Sequence, residues 1–276
     1  MEFTKYTGLG NDFIFLDGQT SLSVKDPFSL AKRLCNRRLG IGADGLVLLL
    51  PSQTADVRMR IINSDGTEAE MCGNASRCVP LHLLSCGMTN KKQIILETLA
   101  GEIQTEVIDF TKGLVRVNMG RPRLTRGEIP MQGDPRERAI DVPLNVNGTE
   151  WRGTAVSMGN PHFVIFVEDI AKIELEKWGP RLEKHPSFPR KTNVEFVQIL
   201  DDKSVRMRVW ERGAGITQAC GTGACATAVA CVLNRKTKTE IIVHLDGGDL
   251  QIAWPNKEEV WMTGPAKKVF KGEIDL

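Results

Sequence analysis

The stretches MCGNASRC at residues 71–78 and ACGTGACA at residues 219–226 each place Cys-Gly and further small residues at the head of an apolar run. Cys72 and Cys220 are 148 residues apart, and shifting the sequence by nearly that amount aligns more of it. Gly10-Asn11-Asp12-Phe13 then meets Gly159-Asn160-Pro161-His162-Phe163, with Asn11 and Asn160 149 residues apart, and Asn63 meets Glu211 at 148. The Asn-to-Cys distance is 61 positions in the first half and 60 in the second, and Asn63 and Glu211 each stand nine positions before their cysteine. Independent coincidences of spacing identify an internal repeat. The chain therefore reads as a duplication of one α/β unit carrying the same site elements in the same order. Two equivalent half-sites facing each other across one cleft are the expectation, since clefts between domains are common ligand sites.

Outward from this repeat, β-like runs bounded by turn residues recur at 13–16, 47–50, 57–63, 93–98, 114–118, 163–167, 194–199, 205–210 and 241–245. Helices are fewer. Asp26 can cap one that has Pro27 at its first position and runs to about Leu39, and a weaker one spans 173–185. Two more follow the cysteines, from Cys72 to about Ser85 with Gly87 beyond it, and from Cys220 to about Leu233. Residues 119–136, rich in proline, glycine and arginine, read as the linker. The expected domains are 1–118, with a strand over 265–276 returning to it, and 119–264, and a length of 276 residues suits two such units.

Composition removes whole classes of function. Apolar residues at 41% and charged residues at 25% are globular values that exclude a disordered, collagenous or coiled-coil chain. Thirty-six Lys and Arg against 34 Asp and Glu, without a long basic run, argue against nucleic acid as a partner. No apolar run approaches the ~18 residues of a spanning helix, so no membrane partner is expected. The first residues, MEFTKYTGLGNDF, lack the basic start and apolar core of a signal peptide. Seven cysteines in such a chain read as reduced thiols of a cytoplasmic protein.

A thiol at a helix N-terminus has its anion stabilised by the unpaired backbone N–H groups and the positive end of the helix dipole. The pKa of such a thiol is expected to fall from about 8.5 toward neutrality. The small residues after each cysteine expose N–H donors suited to a carboxylate. One such thiol would suggest a nucleophile or a redox group. Two, related by duplication, suit stereoinversion beside a carboxylate: one thiolate removes an α-proton, the other thiol returns a proton to the opposite face, and the helix ends stabilise the charge that develops.

GLGNDF at 8–13, NSDGTEAEMCGN at 63–74, GNPHF at 159–163, TNVEF at 192–196 and ERGAGITQACGTGAC at 211–225 resemble the diaminopimelate epimerase family, over nearly the whole chain. The resemblance implies an α/β (α+β) fold of two pseudo-symmetric domains, each a mixed β-sheet or barrel wrapped around a central helix. It implies a cofactor-independent two-base epimerase that interconverts LL- and meso-diaminopimelate in lysine and peptidoglycan precursor synthesis, with no metal and no cofactor. Carried over by position, Cys72 and Cys220 are the catalytic thiols. Gly73, Asn74, Gly221 and Thr222 then supply donors to the α-carboxylate. Asn11, Asn63, Asn160, Asn193, Glu211 and Arg212 hold the ammonium groups and the distal carboxylate, and His162 and Glu211 assist at the reacting centre. Arg212 suits a carboxylate because a guanidinium grips both oxygens. A homodimer is the default for assembly.

Departures from the family pattern are the Ala75-Ser76 pair, where glycine and then alanine are commoner, and Gly45, where some relatives carry glutamine. Pro80 falls inside the expected helix, where a lost hydrogen bond predicts a kink. Taken singly, either cysteine would be a buried small hydrophobe, and only the repeated pair with matching flanks points to chemistry. The spacings of Cys72, Cys78 and Cys86, and of Cys220, Cys225 and Cys231, lack the short steps of zinc modules. Two other functions compete. A proline- or hydroxyproline-type racemase could use the same thiols, although Asn74 stands where that group carries histidine. A thiol switch would instead join Cys72 and Cys220 in a regulated disulfide.

Overall fold

In the computed structural model, which describes residues 1–275, the chain divides into two units, Met1–Asn118 with Thr263–Leu276, and Met119–Met262. Leu276, the last residue of the expected returning strand, lies outside the described residues.

The first unit contains β1 (Glu2–Gly8), β2 (Asn11–Leu16), α1 (Gly18–Leu22), α2 (Pro27–Leu34), β3 (Gly45–Leu50), β4 (Val57–Asn63), β5 (Glu68–Ala69), α3 (Gly73–Ser85), β6 (Gln93–Thr98), β7 (Gly101–Asp109) and β8 (Leu114–Asn118). The second holds β9 (Val142–Val146), β10 (Thr149–Ser157), β11 (Pro161–Phe166), α4 (Leu175–Glu183), β12 (Asn193–Ile199), β13 (Ser204–Glu211), β14 (Gly215–Ile216), α5 (Gly221–Leu233), β15 (Glu240–Leu245) and β16 (Gly248–Ala253). After β17 (Trp261–Pro265), β18 (Lys267–Glu273) belongs to the first unit.

The ladders repeat in order. In the first unit β1 is antiparallel to β2, β2 parallel to β3, β3 antiparallel to β4, β4 antiparallel to β5 and parallel to β6, and β6 antiparallel to β7. The second runs β10, β11, β12, β13, β14, β15 and β16 through the same pairings in the same senses. The outer partner of the opening strand differs in origin. β9 reaches β10 through an Asn147-Gly148 turn with positive φ at both residues, the geometry of a tight hairpin, whereas β1 receives β18 from the far end of the chain.

Each unit surrounds one helix. α5 packs on β10, β11, β12, β13, β15 and β16, and its Gly, Ala and Cys residues are buried on every face. A helix apolar all round is a core helix, and its short side chains let strands close in on it. α3 packs on β1, β7, β8 and β18 and is buried from Gly73 through Leu83. Its helical span continues through Pro80, which removes one N–H donor without ending the helix. Beside these helices, Phe3, Ile14, Leu34, Leu46 and Ile62 share one core cluster, and Phe163, Ile165, Leu182, Phe188 and Phe196 share another. Each such side chain contributes about 1.5–3 kcal/mol on full burial.

Two sequence expectations shift. α2 ends at Leu34, not near Leu39, because the following residues fold into a turn closed by Gly40 N–H donating to Asn36 O. β1 lacks an alternating apolar pattern because it buries Thr4 and Lys5, the latter as the ion-pair partner of Asp12 at 2.8 Å. Among the described residues no helix is long and apolar enough to cross a membrane.

Candidate active site

In the first unit, Cys72 is the N-cap of α3, with φ −140° and ψ 113°, and is half-buried. The helical ladder begins with Ser76 N donating to Cys72 O at 2.8 Å, so the N–H groups of Gly73 and Asn74 precede it. Asn11, which follows a turn with positive φ at Leu9 and Gly10, brings its amide to this helix start. Cys72 Sγ donates to Asn11 Oδ1 at 3.8 Å and Asn74 Nδ2 donates to the same oxygen at 3.2 Å. The turn lies close: a Cβ on Gly8 would come within 3.1 Å of Asn74 O. Asn11 Nδ2 in turn donates to Asp44 Oδ2 at 2.6 Å, and that oxygen also accepts from Asp12 N at 3.0 Å.

Charge anchors this chain from both sides. Arg37 grips Asp12 through two nitrogens, at 3.1 and 2.7 Å, and reaches Asp44 at 2.8 Å. Burial alone would raise the Asp12 pKa, but the hydrogen bonds and charges of Arg37 and Lys5 hold it down at about 2. On the other side the fully buried Arg77 donates to Asn74 Oδ1 at 2.9 Å, and to Pro265 O at 3.2 Å. Asn63 stands apart from this cluster, its amide donating to Thr67 Oγ1 at 2.9 Å in the turn after β4.

In the second unit, Cys220 is the N-cap of α5 and is buried. It differs from Cys72 in capping its own helix: Gly223 N donates to its Sγ at 3.3 Å, and Thr222 Oγ1 lies 3.5 Å away. Asn160 Nδ2 donates to Thr222 Oγ1 at 3.3 Å, and Asn160 Oδ1 lies 3.0 Å from His162 Nε2. The opposite ring nitrogen, His162 Nδ1, is 2.7 Å from Glu195 Oε1, and both side chains are wholly buried. Glu211 accepts a hydrogen bond from Thr217 and adds its charge to the surroundings of the Cys220 thiol. Asn193 Oδ1 accepts from Arg212 N at 2.9 Å, while the Arg212 guanidinium, on the exposed turn after β13, donates to Arg190 O at 3.1 Å.

The acidity of Cys220 runs opposite to the sequence expectation. Burial, followed by the carboxylates of Glu211 and Glu195, pushes its pKa well above the usual thiol range. The hydrogen bonds from Thr222 and Gly223 N–H oppose the rise without overcoming it. Desolvation likewise raises the Glu211 pKa, against the lowering contributions of Thr217 and Cys220. The helix terminus is present, but burial, joined by the Glu211 and Glu195 carboxylates, outweighs it.

The structure thus gathers Asn11, Cys72, Gly73 and Asn74 in one cluster, and Asn160, His162, Glu211, Cys220, Gly221 and Thr222 in another, with Asn193 and Arg212 joined beside the second. Sequence reasoning missed Asp44, Arg37 and Arg77 in the first and Glu195 in the second. The signal for Glu195 was legible: an acid two residues after Asn193, on the same face of an otherwise apolar strand. Among the described residues, Asp17, His82 and Cys86 form the one His/Cys/carboxylate group close enough to hold a metal ion, and His82 Nε2 in it is already engaged by Asp17 at 2.5 Å. That group sits at the far end of α3 from Cys72.

With this geometry in view, the chain can be set beside known proteins. A sequence model of the family described as Diaminopimelate epimerase matches residues 3–125 and 154–269. The chain is 55% identical to the diaminopimelate epimerase of Pelotomaculum thermopropionicum, over 99% of this chain and 98% of that one. It is 56% identical to that of Carboxydothermus hydrogenoformans, over the full length of both. Among solved structures, a probable proline racemase from Agrobacterium radiobacter superposes with a TM-score of 0.71 at 18% identity, covering 100% of this chain and 93% of that one. A PhzF-family phenazine biosynthesis protein from Bacillus anthracis gives 0.72 at 16%, covering 100% and 99%. At such identities these two speak for the shared duplicated fold alone.

Proposed function

The chain belongs to the diaminopimelate epimerase family, and from that premise we propose that it interconverts LL- and meso-diaminopimelate by moving protons through Cys72 and Cys220. The observation that carries this reading is the pair itself: a cysteine at the N-cap of the central buried helix of each repeated unit. Inversion at a carbon needs a base on one face and an acid on the other. A thiolate takes the α-proton and becomes a thiol; the other thiol gives its proton to the planar intermediate and becomes the thiolate. One proton is lost and one gained, so the substrate's charge is unchanged and the two thiols exchange roles.

The surrounding groups supply what the chemistry needs. N–H donors at Gly73, Asn74, Gly221 and Thr222 are suited to the α-carboxylate, whose charge grows as the α-proton leaves. Asn11, Asn63, Asn160 and Asn193 offer neutral amides, and Glu211 and Arg212 one charge of each sign, matching a molecule with amino and carboxylate groups at both ends. Arg212 is free to exchange its carbonyl partner on Arg190 for a carboxylate, a stronger acceptor. Glu211 bears on the Cys220 proton directly, and His162 reaches it through Asn160 and Thr222. All seven cysteines are unbridged, which fits a reducing compartment, and we place the protein in the cytoplasm.

The test is proton NMR of the reduced protein with LL-diaminopimelate in deuterated water. The meso form should appear with deuterium at one α-carbon in the wild type and in neither Cys72→Ala nor Cys220→Ala. Inversion that survives loss of either thiol would place the proton carriers elsewhere. Turnover of proline with none of diaminopimelate would replace the substrate.

A further inference from the structure

Glu195 is wholly buried on β12, with one carboxyl oxygen satisfied and the other not. Oε1 meets His162 Nδ1 at 2.7 Å, whereas Oε2 has no hydrogen-bond partner among the described residues. A buried acid with an orphan oxygen costs stability, and an apolar side chain of similar volume would pack there at lower free energy. Its neighbours show what it stands against. A Cβ on Gly223 would lie 2.8 Å from Glu195 Oε1 and 3.2 Å from Cys220 Sγ, so carboxyl, helix start and thiol converge on one point where no side chain fits.

We propose that Glu195 is a positioning residue that fixes the ring of His162 and sets a second carboxylate, beyond Glu211, against the Cys220 thiol, so that Cys220 rests as the proton donor. The inference deepens the reading of Cys220 as a proton carrier and rests on it. His162 has two ring nitrogens, and the carboxyl on Nδ1 decides how Nε2 is presented to Asn160, whose amide continues to Thr222 and the thiol. The groups facing the thiol are Glu211 from the end of β13, Glu195 from β12, and Thr222 with the Gly223 N–H from α5, while His162 on β11 lies behind Glu195 and Asn160. Burial raises the thiol's pKa, and both carboxylates raise it further. The first unit places Asn11 Oδ1 beside its thiol. The two cysteines are equivalent in topology, each the N-cap of its unit's buried helix.

Glu195→Gln separates charge from shape, because the amide oxygen can still accept from His162 Nδ1 and the side chain occupies the same volume. The measurement is site-resolved alkylation by iodoacetamide at fixed pH, without substrate, read by mass spectrometry as the rate at Cys220 relative to Cys72. The ratio is expected to rise about tenfold in Glu195→Gln, as removal of a neighbouring charge shifts an ionisation by about one pH unit. An unchanged ratio in folded Glu195→Gln overturns the proposal. Should that variant fail to fold, Glu195→Asp decides: a fall of about tenfold in kcat with KM within about twofold supports positioning, and wild-type kinetics overturn it. Because reactivity is read without turnover, failure here is distinct from epimerisation that survives Cys220→Ala, which would remove the underlying reading.

Discussion

Asp44 Oδ2 accepts from Asn11 Nδ2 at 2.6 Å, and this one contact turns the Asn11 carbonyl oxygen toward Cys72. The amide has no freedom to reverse, because its other end is shared by Cys72 Sγ and Asn74 Nδ2. Asp44→Ala therefore leaves Asn11 free to rotate and strips Asp12 N of its acceptor. Loss of a hydrogen bond to a charged group is worth about 1–3 kcal/mol, so kcat/KM is expected to fall roughly 10- to 100-fold. Steady-state kinetics beside a thermal melt would check this; unaltered kinetics would remove Asn11 orientation from the account.

Asp12 links folding to acid. The folded protein holds its carboxyl at about 2, below the ordinary value of about 3.9, so the ion pairs with Lys5 and Arg37 add stability above pH ~4 that is lost as pH falls toward 2. Asp12→Asn lacks that contribution at every pH. Urea unfolding of both proteins should show the wild type ahead at pH 6, with the gap closing between pH 4 and 2. A gap that stays constant over this range would mean that the carboxyl titrates normally.

Replacing a helical glycine by alanine ordinarily stabilises by about 0.5–1 kcal/mol. At Gly223 the added methyl would meet Glu195 Oε1 at 2.8 Å and the Cys220 side chain at 3.2 Å. Gly223→Ala should reverse the usual sign, costing about 1–3 kcal/mol by overpacking. It should also reduce kcat by at least an order of magnitude, because the group displaced is either the thiol or the carboxyl beside it. Urea midpoints and kinetics report the two effects separately.

Glu183 on α4 accepts from Trp210 Nε1 at 2.8 Å and from Gly213 N at 3.2 Å, and so holds the turn that carries Arg212. If Arg212 takes the distal carboxylate, far from the reacting carbon, loosening its turn weakens binding of ground and transition states alike. Glu183→Gln is expected to raise KM about tenfold with kcat within about twofold. A fall in kcat at constant KM would instead connect this turn to the proton transfer through Glu211.

The sequence by itself determined the duplication, the two helix-start cysteines and the motif residues around them. These signals are local: a cap followed by small residues, an Asn after a glycine, a fixed interval between such features. Helix starts at Cys72 and Cys220 and the span of β4 were legible for that reason. What was hidden depends on contacts between residues distant in sequence. β1 escaped because its buried Lys5 makes sense only opposite Asp12, and for the strand expected to return over 265–276 only the fold supplied the partner, β1. Asp44 reads as an ordinary charged residue until β3 is laid beside its parallel neighbour β2, which brings it to Asn11, and Glu195, although its place on an apolar strand was legible, gains its partner His162 only when β12 pairs with β11. The acidity of Cys220 was the largest difference. A helix N-terminus is visible in sequence and predicts a low pKa, but burial and the two carboxylates delivered by β12 and β13 exist only after folding, and in a buried site they override the helix end.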